Sequence, residues 1–130
     1  MKLDRDLVRE LLLFFESKPD TAHRDYEQIE VDGWSSNDIG YALAKMYEAG
    51  FITAEAVRSK STPERVIKVI PFDLTYQGHE FLDSIRDPEI WRRTKDAGAN
   101  VGGAGLGFMW EIAKGIGKQM IKERLGIEIA

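Results

Sequence analysis

Cysteine is absent from this 130-residue sequence, and histidine occurs only twice. Without cysteine there are no disulfides, no thiolate zinc sites and no cysteine nucleophiles. His23 and His79 stand far apart, and no paired-histidine helical motif accompanies them, so metal catalysis has little support. A chain free of cysteine suits a reducing compartment, and we expect a cytoplasmic protein that carries no metal and no other cofactor.

Long hydrophobic runs and an excess of positive charge are missing as well. No stretch reaches the roughly 18 uninterrupted apolar residues of a membrane-spanning helix. Residues 1–6 carry charges where a signal peptide needs its apolar core. Membrane insertion and secretion are therefore disfavoured. With 18 Lys and Arg against 22 Asp and Glu, the net charge is −4, so any nucleic-acid contact requires a local basic patch.

Apolar residues are plentiful, at 43% hydrophobic content, and they are enough to build the core of one domain. Asp4 is placed to cap a first helix whose apolar side chains recur at spacings of three and four, and Pro19 ends it. Residues 26–31 then alternate between polar and apolar side chains. This alternation predicts a short edge strand.

The middle of the chain predicts a capped helix followed by a hairpin. Residues 35–38, Ser-Ser-Asn-Asp, match a capping box that opens a helix, and Gly50 is placed to end it. Residues 52–58 and 65–70 are predicted to be two strands joined by a polar loop. Pro71 is expected to end their regular pairing, because proline has no N–H to donate.

Two further helical segments and a glycine-rich stretch follow the hairpin. Thr75 is placed to cap one helix, and Asp87 to start a short one in which Trp91 is buried against the first helix. A winged-helix-like domain is thus expected to span residues 1–96. Residues 97–107 contain five glycines and are predicted to be a linker without regular structure.

Residues 108–130 are predicted to carry an amphipathic helix that extends to about Leu125. Its apolar stripe requires a surface to pack against, and we expect either a homodimer or docking onto the chain's own core. Contact with a membrane surface is a less favoured alternative. The candidate dimerisation residues are Met109, Ile112, Ile116 and Met120.

The order helix, strand, helix, hairpin, helix is that of a winged-helix domain built on a helix-turn-helix. Three segments carry a family resemblance: Asp-Leu-Val-Arg at 6–9, Met-Tyr-Glu-Ala-Gly-Phe-Ile at 46–52, and above all Leu-Thr-Tyr-Gln-Gly-His-Glu-Phe-Leu at 74–82. Over roughly residues 3–96 the chain resembles a family of uncharacterised bacterial and prophage proteins, a domain of unknown function. The resemblance implies a winged-helix-like α+β fold without an established activity. Ala42 departs from it, because a histidine is expected there.

Two functions from different classes fit this fold. In the first, a DNA-binding or transcription-associated protein of prophage type places the helix over residues 36–49 in the major groove, and the hairpin contacts the flanking backbone of the duplex. The candidate nucleic-acid-binding residues are Asn37, Tyr41, Lys45, Arg58, Lys60, Arg65 and Lys68. In the second, the same shape binds another protein, because Asp38 and Glu48 on the exposed helix face repel phosphates.

No catalytic constellation is visible in the sequence. The glycine-rich run lacks the preceding strand and the following Lys-Ser or Lys-Thr of a phosphate-binding loop. Glu80, Asp83 and Asp87 cluster on one predicted helix without a neighbouring base or nucleophile, which is typical of a solvent-facing surface. We therefore expect a non-enzymatic protein with no catalytic residues.

Overall fold

A computed structural model describes residues 1–23, 26–100 and 105–126. Within these ranges the chain forms five α-helices, a 3₁₀ turn and one antiparallel pair of strands, which confirms the predicted α+β class and is consistent with a winged-helix-like fold. In chain order the elements are α1 (Arg5–Ser17), the 3₁₀ turn (Tyr26–Gln28), α2 (Ser36–Glu48), β1 (Ile52–Arg58), β2 (Val66–Leu74), α3 (Tyr76–Ile85), α4 (Pro88–Asn100) and α5 (Leu106–Leu125). The chain divides into two compact units, residues 1–79 and 80–130.

Helix α1 begins and ends where the sequence predicts. The Asp4 carboxylate accepts a hydrogen bond from the backbone N–H of Leu7 at 3.1 Å, which satisfies one of the donors that the first turn of a helix leaves unpaired. Lys18 is the C-cap, and Pro19 follows it. The buried face of α1 consists of Leu7, Val8, Leu11, Leu12 and Phe15.

The prediction of a strand over residues 26–31 is wrong. Residues 26–28 form a single 3₁₀ turn, and residues 29–31 have no regular structure. In the described part of the chain β1 and β2 pair only with each other, so no strand edge is paired with this segment. Ile29 is buried, and the 3₁₀ turn packs against α2. The alternation of polar and apolar residues in this segment therefore reflects the burial of one side chain, Ile29, rather than a strand.

Helix α2 forms by the predicted capping box. The Ser35 hydroxyl accepts a hydrogen bond from the Asp38 N–H at 3.2 Å, and the Asp38 carboxylate accepts one from the Ser35 N–H at 3.2 Å. Gly50 has φ of +79°, the left-handed conformation that ends a helix and that glycine adopts readily. The buried face consists of Ile39, Ala42, Leu43 and Met46, so the opposite face of α2 remains accessible.

Strands β1 and β2 form the predicted hairpin, but β2 does not stop at Pro71. It continues to Leu74, and Pro71 is buried opposite Ala54. The strand register shifts between Thr53 and Ala54. Proline is tolerated at such a bulge, because the ladder of hydrogen bonds is already interrupted there.

Thr75 fastens the start of α3 to the end of α2. Its hydroxyl donates to the Gly50 carbonyl at 2.6 Å and accepts from the Gly78 N–H at 3.0 Å, which confirms Thr75 as the predicted cap. Its backbone N–H donates to the Phe51 carbonyl at 3.0 Å. Gly78 is buried, and a Cβ at this position would overlap the Phe51 carbonyl oxygen. We call this set of contacts among residues 50, 51, 75 and 78 the Thr75 latch.

In the second unit, α4 and α5 pack against each other. The Asp87 carboxylate caps α4 by accepting hydrogen bonds from the N–H groups of Glu89 and Ile90, at 2.8 and 3.2 Å. Trp91 is only 6% exposed, which agrees with the prediction that this indole is buried. Helix α4 is nevertheless longer than the short segment that the sequence predicts.

Helical structure extends further into the glycine-rich segment than the sequence predicts. Residues 97–100 are the last turn of α4, and α5 begins at Leu106, while residues 101–104 of the predicted linker lie outside the described residues. Gly98 is buried, so packing offsets the cost of about 1 kcal/mol that a glycine adds inside a helix. The two compact units divide at residue 79, within α3, whereas the sequence placed a domain end at residue 96.

Candidate nucleic-acid interface

The outer face of α2 and the strand β2 line a groove of about 360 Å³ in the first unit, here called the α2–β2 groove. Helix α2 contributes Asn37, Tyr41, Lys45 and Glu48, and β2 contributes Val66, Ile67 and Lys68. Gly40, which has no side chain, and Ala44, which has only a methyl group, also line the groove and leave room between helix and strand. The structure thus brings together four of the seven predicted contact residues, Asn37, Tyr41, Lys45 and Lys68.

Lys45 makes two contacts on its own helix. Its ammonium group lies 3.1 Å from the Glu48 carboxylate and 5.4 Å from the centre of the Tyr41 ring. The Lys45 side chain is 37% exposed and that of Glu48 is 63% exposed, so this ion pair contributes little to stability. Lys45 can leave Glu48 at little cost, but the Glu48 carboxylate then stays close to any phosphate that Lys45 meets and repels it.

The other three predicted contact residues lie outside the groove, at the exposed end of the hairpin: Arg58, Lys60 and Arg65. The loop between the strands is closed by its own backbone. The Arg65 N–H donates to the Thr62 carbonyl at 2.8 Å, and the Ser59 N–H donates to the Arg65 carbonyl at 2.9 Å. The Arg58 guanidinium donates to the Pro63 carbonyl at 3.4 Å. The hairpin therefore presents its cations from a hydrogen-bonded loop.

Sequence reasoning missed two apolar residues of the groove. Val66 is 36% exposed and Ile67 is 61% exposed, although both belong to a strand pattern that predicts burial. One signal was available, since adjacent residues of a strand point to opposite faces and cannot both face one core. The strand register shifts between Val57, opposite Lys68, and Arg58, opposite Val66, so Ile67 stands at an irregularity in the pairing.

The charges of this surface are mixed. The basic side chains on α2 and the hairpin are Lys45, Arg58, Lys60, Arg65 and Lys68, and the acidic ones are Asp38, Glu48, Glu55, Glu64 and Asp73. On α2, Asp38 is engaged in the capping box and Glu48 pairs with the only lysine of the helix. The hairpin, with four cations against three carboxylates, is therefore the more basic part of the candidate interface, whereas on α2 the two carboxylates outnumber the single lysine.

The remaining polar clusters have roles within the chain. Asp87 caps α4, and the Asp83 carboxylate lies 2.8 Å from the Arg86 guanidinium. His79 is exposed on α3, as expected for a helix-surface histidine. Over residues 1–23, 26–100 and 105–126, no group of His, Cys, Asp and Glu side chains is arranged to hold a metal ion. Over the same ranges, no helix has the length and apolar character needed to cross a membrane.

The four candidate dimerisation residues divide into two pairs. Met109 and Met120 are buried in a single copy of the chain, with exposures of 0% and 5%. Ile112 and Ile116 are half-buried. Because α5 packs against α4, the two methionines are already covered and are not available to a partner.

Comparison with known proteins gives a family match without an assigned activity. The profile of a family described as hypothetical protein (DUF2513) matches residues 2–104. An uncharacterized protein of Haemophilus influenzae strain Rd is 35% identical over 95 residues, which cover 73% of this chain and 76% of that protein. No solved structure matches the chain. The family match includes the α2–β2 groove and the hairpin, so these features lie in the shared part of the sequence.

Proposed function

This chain belongs to the DUF2513 family of hypothetical proteins, and we propose that it is a non-enzymatic, cytoplasmic DNA-binding protein of the winged-helix type. One observation carries the proposal. The α2–β2 groove joins Asn37 and Tyr41 of a helix to Lys68 of the adjoining hairpin. In winged-helix proteins a helix enters the major groove while the hairpin meets the flanking backbone, so helix and hairpin residues have to share one surface.

The helix supplies the residues that read bases. Asn37 is exposed in the first turn of α2, and the N-terminal residues of a recognition helix are those that reach base edges. An asparagine amide forms two hydrogen bonds with adenine in the major groove. Tyr41 follows four positions later and therefore lies on the same helix face. These two residues give the surface its sequence preference in the proposal.

The hairpin supplies the residues that contact phosphates, Arg58, Lys60, Arg65 and Lys68. Four phosphate contacts on duplex DNA correspond to a slope of about −3.6 in a plot of log affinity against log salt concentration. Lys45 adds to this value only where its pair with Glu48 opens. The net charge of −4 opposes approach to DNA, so we expect weak binding at physiological salt and clear binding at low salt.

The first test replaces two hairpin cations. Arg65→Glu with Lys68→Glu should weaken binding to mixed-sequence duplex DNA by about a hundredfold at low salt, because two attractive contacts become repulsive. The salt slope should fall in magnitude by about 2. Fluorescence anisotropy of a labelled duplex, titrated at several salt concentrations, measures both quantities. Asn37→Ala should instead reduce the preference among sequences and leave the slope unchanged.

The matched control is Arg92→Glu with Lys122→Glu, which makes the same change in net charge at two exposed positions of α4 and α5. If the control weakens binding as much as the hairpin variant, net charge rather than the hairpin governs the affinity. If the wild-type protein shows no binding at low salt, the DNA proposal is wrong.

A second candidate function is the binding of another protein. It is favoured by the exposed Val66 and Ile67 at the edge of the groove and by the face of α2, where Asp38 and Glu48 outnumber Lys45. An accessory factor of prophage type that uses the winged-helix shape in this way would tolerate Arg65→Glu with Lys68→Glu. It would lose its partner on Ile67→Ser, and this uncharged variant separates the two functions, because it removes an apolar contact without adding a charge that repels DNA phosphates.

A further inference from the structure

A second groove, of about 520 Å³, lies in the second unit between α5 and the corner where α3 meets α4. We call it the α5 groove. Its apolar lining consists of Ile90, Ala113, Met120, Ile121 and Leu125. Leu125 is 67% exposed and Ile121 is half-exposed, so the groove presents apolar surface to solvent. Contiguous apolar surface of this kind is typical of an association site.

The two walls of the α5 groove carry opposite charges. The corner between α3 and α4 contributes Asp83 and Asp87, and α5 contributes Lys114, Lys118 and Arg124. Lys114 and Arg124 form ion pairs within the chain, with Glu111 at 2.7 Å and Glu89 at 2.8 Å. Lys118 is therefore the cation of this wall best placed to meet a partner. A surface with one acidic and one basic wall is complementary to a copy of itself turned by a twofold rotation.

Gly117 supports close approach of another chain at this place. It lies inside α5, where a glycine costs about 1 kcal/mol relative to alanine. A Cβ at Gly117 would meet no atom within 4 Å, so packing in a single copy does not require the glycine. Gly117 nevertheless lines the groove, where its missing side chain leaves room for a partner.

We propose that the α5 groove binds the α5 groove of a second copy of this chain in a twofold-symmetric dimer. In this dimer the basic wall of each copy faces the acidic wall of the other, and Ile121 and Leu125 are covered. The interface differs from one built on the whole apolar stripe, because Met109 and Met120 are already buried in one copy. The proposal does not depend on DNA binding, and it is tested without DNA.

Sedimentation equilibrium of the full chain gives the dimer dissociation constant. Gly117→Leu should raise this constant about tenfold or more, because the new side chain occupies the space of the partner. The same change should raise the melting temperature of the monomer, since leucine favours helix. Gly115→Leu is the matched control, because Gly115 has equally open space but does not line the groove. It should leave the dissociation constant unchanged.

A charge exchange tests which walls meet. Asp83→Lys and Lys118→Asp should each raise the dissociation constant about tenfold, since each variant places like charges face to face. Asp83 loses only an exposed pair with Arg86, so folding should be little affected. An equimolar mixture of the two variants should associate almost as tightly as the wild type, because every opposed pair in the mixed dimer again has opposite charges.

Three results would overturn the proposal. One is a wild-type chain that remains monomeric at high micromolar concentration. Another is a dimer whose dissociation constant is the same in Gly117→Leu as in the wild type, and the same in the mixture of the two charge variants as in each variant alone. The third is a monomer that binds vesicles of phosphatidylglycerol and phosphatidylcholine and loses this binding on Lys118→Asp, which would assign the groove to a membrane surface.

Discussion

At the scale of single residues, two glycines inside α-helices differ in what surrounds them. A Cβ on Gly78 would overlap the Phe51 carbonyl oxygen, whereas one on Gly115 would meet no atom within 4 Å. We expect Gly78→Ala to lower the free energy of unfolding by about 3 kcal/mol despite the better helix propensity of alanine. Gly115→Ala should raise it by up to about 1 kcal/mol. Denaturant titrations of both variants measure the two effects, and a shift of the same sign for both would contradict this account.

Trp91 is the large side chain whose burial the sequence predicts from its place after a capped helix start. Its indole is 6% exposed, with the Lys95 ammonium 5.6 Å from the ring centre. Trp91→Ala should lower the free energy of unfolding by about 3 to 5 kcal/mol, because the change removes a large apolar side chain and leaves a cavity. Thermal unfolding checks this, and a melting temperature equal to that of the wild type would place Trp91 on a functional surface instead.

The sequence predicts which residues of the candidate site lie together when those residues belong to the same helix or strand. Asn37, Tyr41 and Lys45 share a face of α2 because of the helical period, which the sequence displays directly. The ion pair of Lys45 with Glu48 follows from the same period, since the two residues lie three positions apart on one helix, whereas the exposure of Ile67 was not predictable in this way. This exposure depends on where the core ends, and the core is defined by contacts between elements that are distant in the sequence.

At the scale of elements, the starts of helices were predicted well and the strands less well. Asp4, Ser35, Thr75 and Asp87 all cap helices as expected, because a cap needs only residues within one turn. The prediction of a strand over residues 26–31 is wrong because a strand needs a neighbouring strand to pair with, and this segment has none among the described residues. Strand β2 continues past Pro71 because the pairing with β1 has a bulge there. This bulge cannot be predicted from the sequence of β2 alone.

The Thr75 hydroxyl joins two elements, so its removal should cost more than the loss of a simple cap. Thr75→Ala removes a hydrogen bond to the Gly50 carbonyl and another from the Gly78 N–H. We expect the free energy of unfolding to fall by about 2 kcal/mol, with about half from the cap and half from the bond to Gly50. Thr75→Ser keeps the hydroxyl and is the control. Equal losses in the two variants would show that the methyl group, not the hydroxyl, is responsible.

At the scale of the whole molecule, the packing of α5 on α4 alters what truncation is expected to do. If residues 97–107 were a linker, a chain truncated there would keep the structure of the preceding residues. Residues 97–100 are instead part of α4, and Ala113 of α5 is fully buried. A chain that stops after residue 104 should therefore lose hydrogen-exchange protection in α4. Mass spectrometry of exchanged peptides measures this, and a chain that stops after Gly126 is the control. Unchanged protection of α4 in the shorter chain would contradict the expectation.

The Thr75 latch also bears on the order in which the molecule folds. The hydroxyl of Thr75 and the carbonyl of Gly50 are separated by 25 positions, and the whole hairpin lies between them. Closing that loop costs chain entropy, which local zipping of the two strands reduces beforehand. We therefore expect the latch to form after the folding transition state. Loss of the Thr75 hydroxyl should then speed unfolding and leave the folding rate almost unchanged, so this one threonine sets how long the native state persists rather than how fast it is reached.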